Sequence, residues 1–139
     1  MEKFAIALHG GAGTIVRSNM TAELQQAYEA GLRDALNAGY GVLEAGGTSL
    51  DAVAAAVTVL EDCPLYNAGR GAVFNHTGGH EMDAAIMNGR TLEAGGVCGV
   101  SGVKNPVALA RVVMEHSGHV LLCGAGGEAF ARERELAFE

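Results

Sequence analysis

Several groups of residues in this chain have types and spacings that chemistry can use. His9-Gly10-Gly11-Ala12-Gly13 frees backbone N–H groups to converge on an anion or to shape a pocket wall. A tight turn that needs glycine φ values is the plain alternative, and on the motif alone the stronger one. Asn67 sits within Tyr66-Asn67-Ala68-Gly69-Arg70-Gly71-Ala72-Val73-Phe74, and its amide can meet a reacting group or, as is commoner, cap backbone groups. The carbonyls between Leu60 and Arg70 could face one point, which suits a hard cation, although an ordinary connection explains the spacing more simply. Glu81 and Asp83 fall on the same side of a strand. Such a pair can do acid-base work, but an ion pair or hydrogen bond that holds a hairpin is the favoured reading. Gly124-Ala125-Gly126-Gly127-Glu128-Ala129 imitates the dinucleotide fingerprint. That fingerprint needs an acidic residue about 20 positions further on, past the end of this chain, so glycine packing at a strand-to-helix turn is preferred. His76, His80, His116 and His119 lack metal spacing, and His80-Glu81 does not begin H-E-x-x-H.

The composition narrows the field. A length of 139 residues with 49% apolar content suits one domain with a core of its own, and 21 glycines against 2 prolines ask for many close approaches and positive φ values. A net charge of -7 without a Lys/Arg cluster argues against nucleic acid or an anionic membrane as partner. Cys63, Cys98 and Cys123 are odd in number and far apart in sequence, so neither a zinc knuckle nor a disulfide framework is expected. Buried free thiols in a reducing compartment are expected instead. The apolar run Phe4 to Leu8 is too short for a signal peptide, and no stretch is long enough to cross a membrane, which points to the cytoplasm.

The elements that must position these residues follow from hydrophobic period. Phe4 to Leu8 predicts a buried strand ended by the glycines. Leu24, Ala27, Tyr28, Leu32, Ala35, Val42 and Leu43 recur at helical spacing, with Thr21 as cap and Gly46-Gly47 as stop. Thr48-Ser49-Leu50-Asp51 predicts a capping box, and Leu50, Val53, Ala54, Val57 and Leu60 trace the buried face of a second helix that Pro64 ends. Gly71 to Phe74, Glu81 to Met87 and Thr91 to Val100 predict three antiparallel strands, the last two joined by a tight turn at Asn88-Gly89. Asn105-Pro106 opens a helix, Val120 to Cys123 reads as a buried strand, and Glu128 to Glu139 reads as a final helix without a stop signal, as if the chain once continued. The order of elements indicates an α+β layered domain spanning 1-139, without internal repeat or linker.

His9-Gly10-Gly11-Ala12-Gly13, Asn67-Ala68-Gly69-Arg70-Gly71-Ala72-Val73, Asp83-Ala84-Ala85-Ile86-Met87-Asn88-Gly89, Asn105-Pro106 and His119 to Gly124 occur in the order that resembles the plant-type L-asparaginase / isoaspartyl peptidase family of N-terminal-nucleophile hydrolases. The resemblance runs from about residue 3 to residue 132. It implies a four-layer αββα sandwich, of which this chain is the N-terminal α subunit, and autocatalytic cleavage that exposes a threonine as the first residue of a β subunit. It implies hydrolysis of L-asparagine and of β-aspartyl dipeptides by a self-cleaved (αβ)2 heterotetramer. In such enzymes Asn67 faces the nucleophile, and His9, Gly10, Gly11 and Gly13 form a supporting active-site loop. The resemblance also implies a structural sodium ion on the main-chain carbonyls of Leu60, Glu61, Cys63, Tyr66, Ala68 and Arg70, with no cofactor for the chemistry. Thr14, Thr21, Thr48, Thr58, Thr77 and Thr91 are all internal, so the nucleophile and the residues that grip the substrate's α-carboxylate and α-amine are expected in the other subunit. Glycosylasparaginase is the alternative among enzymes, sharing the Asp-Ala-x-x-Met-x-Gly hairpin. A nucleotide-binding module built on Gly124 to Gly127 is the alternative of another class.

Overall fold

The computed structural model describes residues 3–13 and 17–139, so Met1, Glu2 and Thr14 of the sequence reading lie outside the described residues. Helix α1 spans Ala22–Glu44, and Thr21 caps it by accepting the Leu24 N–H at 3.1 Å. Helix α2 spans Ser49–Asp62. The predicted capping box is formed, with the Thr48 hydroxyl oxygen accepting the Asp51 N–H at 3.1 Å and the Asp51 carboxylate accepting the Thr48 N–H at 3.3 Å. The two helices pack through small residues. Ala35, Gly39, Ala52 and Ala56 are buried, and a Cβ on Gly39 would stand 2.9 Å from the Ala52 carbonyl oxygen. This close approach turns α2 from the expected orientation, so that Ala52, Ala56, Leu60 and Glu61 are buried while Val53 is exposed.

The sheet has three strands in the order β1 (Met82–Met87), β2 (Ala94–Val100), β3 (Leu121–Cys123). The β1–β2 hairpin is antiparallel as predicted, and β2–β3 is parallel, with α3 (Pro106–His116) as the connecting helix. The turn between β1 and β2 is wider than a two-residue Asn-Gly turn. Asn88 donates its N–H to the Glu93 carbonyl and accepts the Leu92 N–H, while its side-chain oxygen takes the Arg90 N–H, and Leu92 carries the positive φ of 64°. Helix α4 spans Gly124–Glu133, opening four residues before the predicted start and stopping early because the chain reverses at Glu135, φ 57°. Phe138 then forms an antiparallel bridge with Val103.

Two expected strands are not formed. Phe4 to Leu8 has no ladder partner among the described residues and lies along α1, with Phe4 edge-to-face on Tyr40 at 5.2 Å. Gly71 to Phe74 leaves a 3-10 turn (Gly69–Gly71) and runs exposed, because the Asn67 side chain takes the Val73 N–H that a neighbouring strand would have used. The strand at Leu121–Cys123 is present but not buried, with Leu121 54% exposed. Of the two apolar clusters, the larger joins Ile86, Val97, Val100, Val103, Leu109, Ala110, Val113 and Ala131, and so binds the sheet to α3 and α4. The smaller one, Ala35, Leu60 and Tyr66, with Leu8, Tyr28, Leu32 and Cys63 around it, lies between the helices and the first loop. No helix among the described residues is long and apolar enough to cross a membrane.

Candidate active site

Pro64 ends α2, and two residues later the Tyr66 ring turns into the smaller cluster, where only 6% of it stays exposed. Its hydroxyl donates to the Tyr28 carbonyl, and the two rings meet edge to face at 5.7 Å. Burial holds the phenol above its ordinary pKa, which keeps it a donor. The glycine loop settles against this anchor. A Cβ on Gly10 would lie 2.8 Å from a Leu32 methyl carbon and 3.3 Å from the Tyr66 ring, so the loop backbone packs closely on both side chains. The His9 ring nitrogen Nδ1 accepts the Gly11 N–H at 3.1 Å, which folds the imidazole over its own loop.

Tyr66 therefore brings together the two segments that were singled out in the sequence. His9 to Gly13 and Asn67 line a single cleft of about 710 Å3, with Tyr28, Glu29 and Leu32 of α1 also in its wall. Asn67 is exposed to that cleft, and its side-chain oxygen accepts the Val73 N–H at 3.0 Å. The capping reading is thus formed: the oxygen is committed to the backbone, and the Nδ2 donors are the half of the amide that this bond does not use.

A second, smaller cavity of about 230 Å3 shares Asn67 and Ala68 with the first and is lined by Glu61, Glu81 and Asp83. Asp83 accepts the Gly99 N–H at 2.8 Å and so ties β1 to β2, the hairpin role expected for it. Glu61 was foreseen only for its carbonyl, yet its carboxylate matters more. It is 3% exposed, one oxygen accepts the Val107 N–H at 2.8 Å, and the other has no partner among the described residues. Burial pushes its pKa up to about 7, although the Val107 N–H pulls the other way. An acidic residue closing a helix of small apolar residues was the only available signal, and it resembled an ordinary polar end.

The Leu60 to Arg70 loop is tight. A Cβ on Gly69 would strike the Glu61 carbonyl, and one on Gly71 would strike the Tyr66 carbonyl and stand 2.9 Å from that of Pro64. The carbonyls of Leu60, Cys63, Tyr66 and Ala68 each accept one backbone N–H, which leaves each a second lone pair. At the other end of the chain, Gly124 to Gly127 forms the first turn of α4. A Cβ on Gly127 would meet a Val100 methyl at 3.0 Å, the packing role preferred for this motif. No group of three or more His, Cys, Asp or Glu side chains among the described residues could hold a metal.

The fold thus gathers a glycine loop and an exposed amide side chain along one cleft. A family model described as Asparaginase matches residues 2–139, and the chain belongs to that family. It is 50% identical to the isoaspartyl peptidase of Salmonella typhimurium over 137 residues, covering 99% of this chain and 44% of that protein. It is 50% identical to the isoaspartyl peptidase of Escherichia coli, over 98% of this chain and 42% of that one. With the plant-type L-asparaginase of Pyrococcus abyssi it shares 52% identity, over 92% of this chain and 40% of the relative. The chain thus spans about two fifths of the length of these relatives.

Proposed function

We propose that this chain is the non-nucleophilic α portion of a threonine-type amidohydrolase that converts L-asparagine to aspartate and ammonia and cleaves β-aspartyl dipeptides. The observation that carries this reading is the shared wall: the glycine loop, which packs on the Tyr66 ring at Gly10, and Asn67, the residue after that tyrosine, line one cleft. In the proposed reaction a threonine at the start of a second chain, produced by self-cleavage, attacks the substrate's side-chain carbonyl, with its own α-amine as base. Asn67 offers Nδ2 toward that threonine while Val73 fixes the amide's orientation. Preorganised donors of this sort stabilise developing charge because they need no reorientation during the reaction.

The second chain also completes the architecture in this proposal. The sheet face turned away from α3 and α4 carries Met87 and Leu121, each 54% exposed, together with Ala85, Cys98 and Cys123. A second sheet laid on that face would give the four-layer αββα sandwich and an (αβ)2 assembly. The three free cysteines fit a reducing, cytoplasmic setting.

The test is reconstitution. The 139-residue chain alone should release no ammonia from asparagine, and adding the remainder of the protein, beginning with threonine, should restore turnover. Enzymatic ammonia release by the chain alone would overturn the proposal. In the complete enzyme, Asn67→Ala should lower kcat by about 100-fold to 1000-fold, the range for losing one preorganised donor, with a smaller effect on melting temperature. Unchanged kcat with normal self-cleavage would leave Asn67 a loop cap only.

A sodium ion on the carbonyls of Leu60, Glu61, Cys63, Tyr66, Ala68 and Arg70 belongs to the same proposal. The crowding of carbonyls around side-chain-free Gly69 and Gly71 fits an all-oxygen shell. When bound, the ion would supply only positive charge that holds the loop. Exchanging sodium for a large organic cation at constant ionic strength should lower the melting temperature, and an unchanged melting curve would count against the site.

A further inference from the structure

Asn88 is the only asparagine of the chain that a glycine follows. Gly89 is exposed at the tip of the β1–β2 hairpin, and a Cβ built on it would have no atom within 4 Å, so nothing crowds its backbone. Its N–H donates to no group among the described residues, although the amides on either side are all used. The Asn88 N–H bonds the Glu93 carbonyl, and the Arg90 and Thr91 N–H groups bond the Asn88 side-chain oxygen at 3.0 and 3.4 Å. Three requirements for cyclisation therefore meet in one turn: a free backbone nitrogen, a side-chain carbonyl whose oxygen faces two donors, and an amide nitrogen able to leave. Donors aimed at a carbonyl oxygen stabilise the charge that develops there when a nucleophile adds. Asn75 supplies the contrast. Its side-chain oxygen also faces N–H groups, those of Thr77 and Gly79, but the residue after it is His76, whose side chain crowds the attacking nitrogen. The Asn88 turn lies past the ends of both strands and not on the sheet face, and Gly89 to Glu93 are all exposed.

We propose that Asn88 is a modification site, at which the chain deamidates through a cyclic imide to a β-aspartyl linkage with Gly89. Water is the only co-reactant. The Gly89 nitrogen gives up its proton and attacks the Asn88 Cγ, the bond from Cγ to Nδ2 breaks, and the departing nitrogen takes up a proton and leaves as ammonia. The imide then holds the Gly89 nitrogen between Cγ and the main-chain carbonyl carbon of Asn88. Water adds to one of these two carbons and breaks its bond to nitrogen. Addition at the main-chain carbon leaves the chain running through Cβ and Cγ with a free α-carboxylate, and addition at Cγ leaves ordinary aspartate. One water is consumed and one ammonia released, with nothing oxidised or reduced. In the β-aspartyl product the Asn88 carbonyl that accepts the Leu92 N–H has become a free carboxylate, and the link to Gly89 is longer by one carbon, so the closure of the hairpin is loosened. The site requires only this turn and water, not the hydrolase reading.

The experiment holds the complete native protein in mildly alkaline buffer made with heavy-oxygen water, digests it and maps the peptides by mass spectrometry, with fragmentation that tells β-aspartyl from aspartyl. The expected product carries heavy oxygen at position 88, mostly as the β-aspartyl form, with Asn75 intact, and it melts lower than the parent. Gly89→Ala adds a methyl group that meets no atom, so it should fold and lose the β-aspartyl product over the same period. Asn88 intact in the native protein once the urea-unfolded protein has converted, conversion of Asn75 at an equal rate, or undiminished conversion in Gly89→Ala would each overturn the proposal.

Discussion

Gly95→Ala should cost about 3 kcal/mol of folding stability, at the upper end of what overpacking a core usually costs. A methyl group at Gly95 on β2 would overlap the Ala110 carbonyl and come within 2.5 Å of the Met114 N–H nitrogen and 2.7 Å of the Met114 Cβ. These are the backbone and side chain of α3, and the helix cannot swing aside without leaving the contacts that Val107, Leu109, Ala110 and Val113 make with the sheet. The strand cannot yield either, since Gly95 is paired with Ile86 across the hairpin. Urea unfolding of the two proteins measures the difference. A loss under about 1 kcal/mol would mean that the α3–sheet contact adjusts in a way the close packing of interiors does not lead one to expect.

The second large effect concerns pH. Glu61 ionises near its ordinary value of 4.5 in the unfolded chain and near 7 in the fold, so between those values the native state holds a proton that the unfolded state has lost. Stability is therefore highest below about 4.5 as far as this group is concerned, falls as pH rises toward 7, and then levels off. The integrated loss is about 3 kcal/mol. Glu61→Gln keeps an oxygen for the Val107 N–H and removes the buried charge, so it should flatten this part of the profile and exceed the parent in stability at pH 8. A variant profile that falls as steeply as the parent's across this interval would assign the decline to other groups.

Local features were the ones legible in the sequence. Both N-terminal helices, the Thr48 capping box, the stop at Pro64, the β1–β2 hairpin and the start of α3 at Pro106 depend on residues a few positions apart, where period and capping chemistry act directly. Both halves of the cleft wall were also found. What brings them together, the Tyr66 ring under Gly10, is a contact between distant segments and leaves no periodic trace. The same holds for the failed strands. Phe4 to Leu8 has the composition of a buried strand, but a strand also needs a neighbour to bond with, and the segment instead lies largely exposed with Phe4 against Tyr40 of α1. The role of the Glu61 carboxylate leaves no trace in the sequence for a related reason: its partner is the amide of Val107, supplied by another element.

Asn105 stands at the N-cap of α3 but gives its side chain to Asp62, so the cap falls to Glu61, from the end of α2. Pro106 has no N–H to offer, which makes Val107 the first donor available. One helix thus finishes the other, and neither end is complete by itself. For folding this means that the Val107 amide in the first turn of α3 is satisfied only once α2 is docked beside it. Helix α2 thereby serves both halves, packing Leu50 and Ala54 on the larger cluster and Leu60 in the smaller one beside the cleft, so that loosening either end of it reaches the cleft wall.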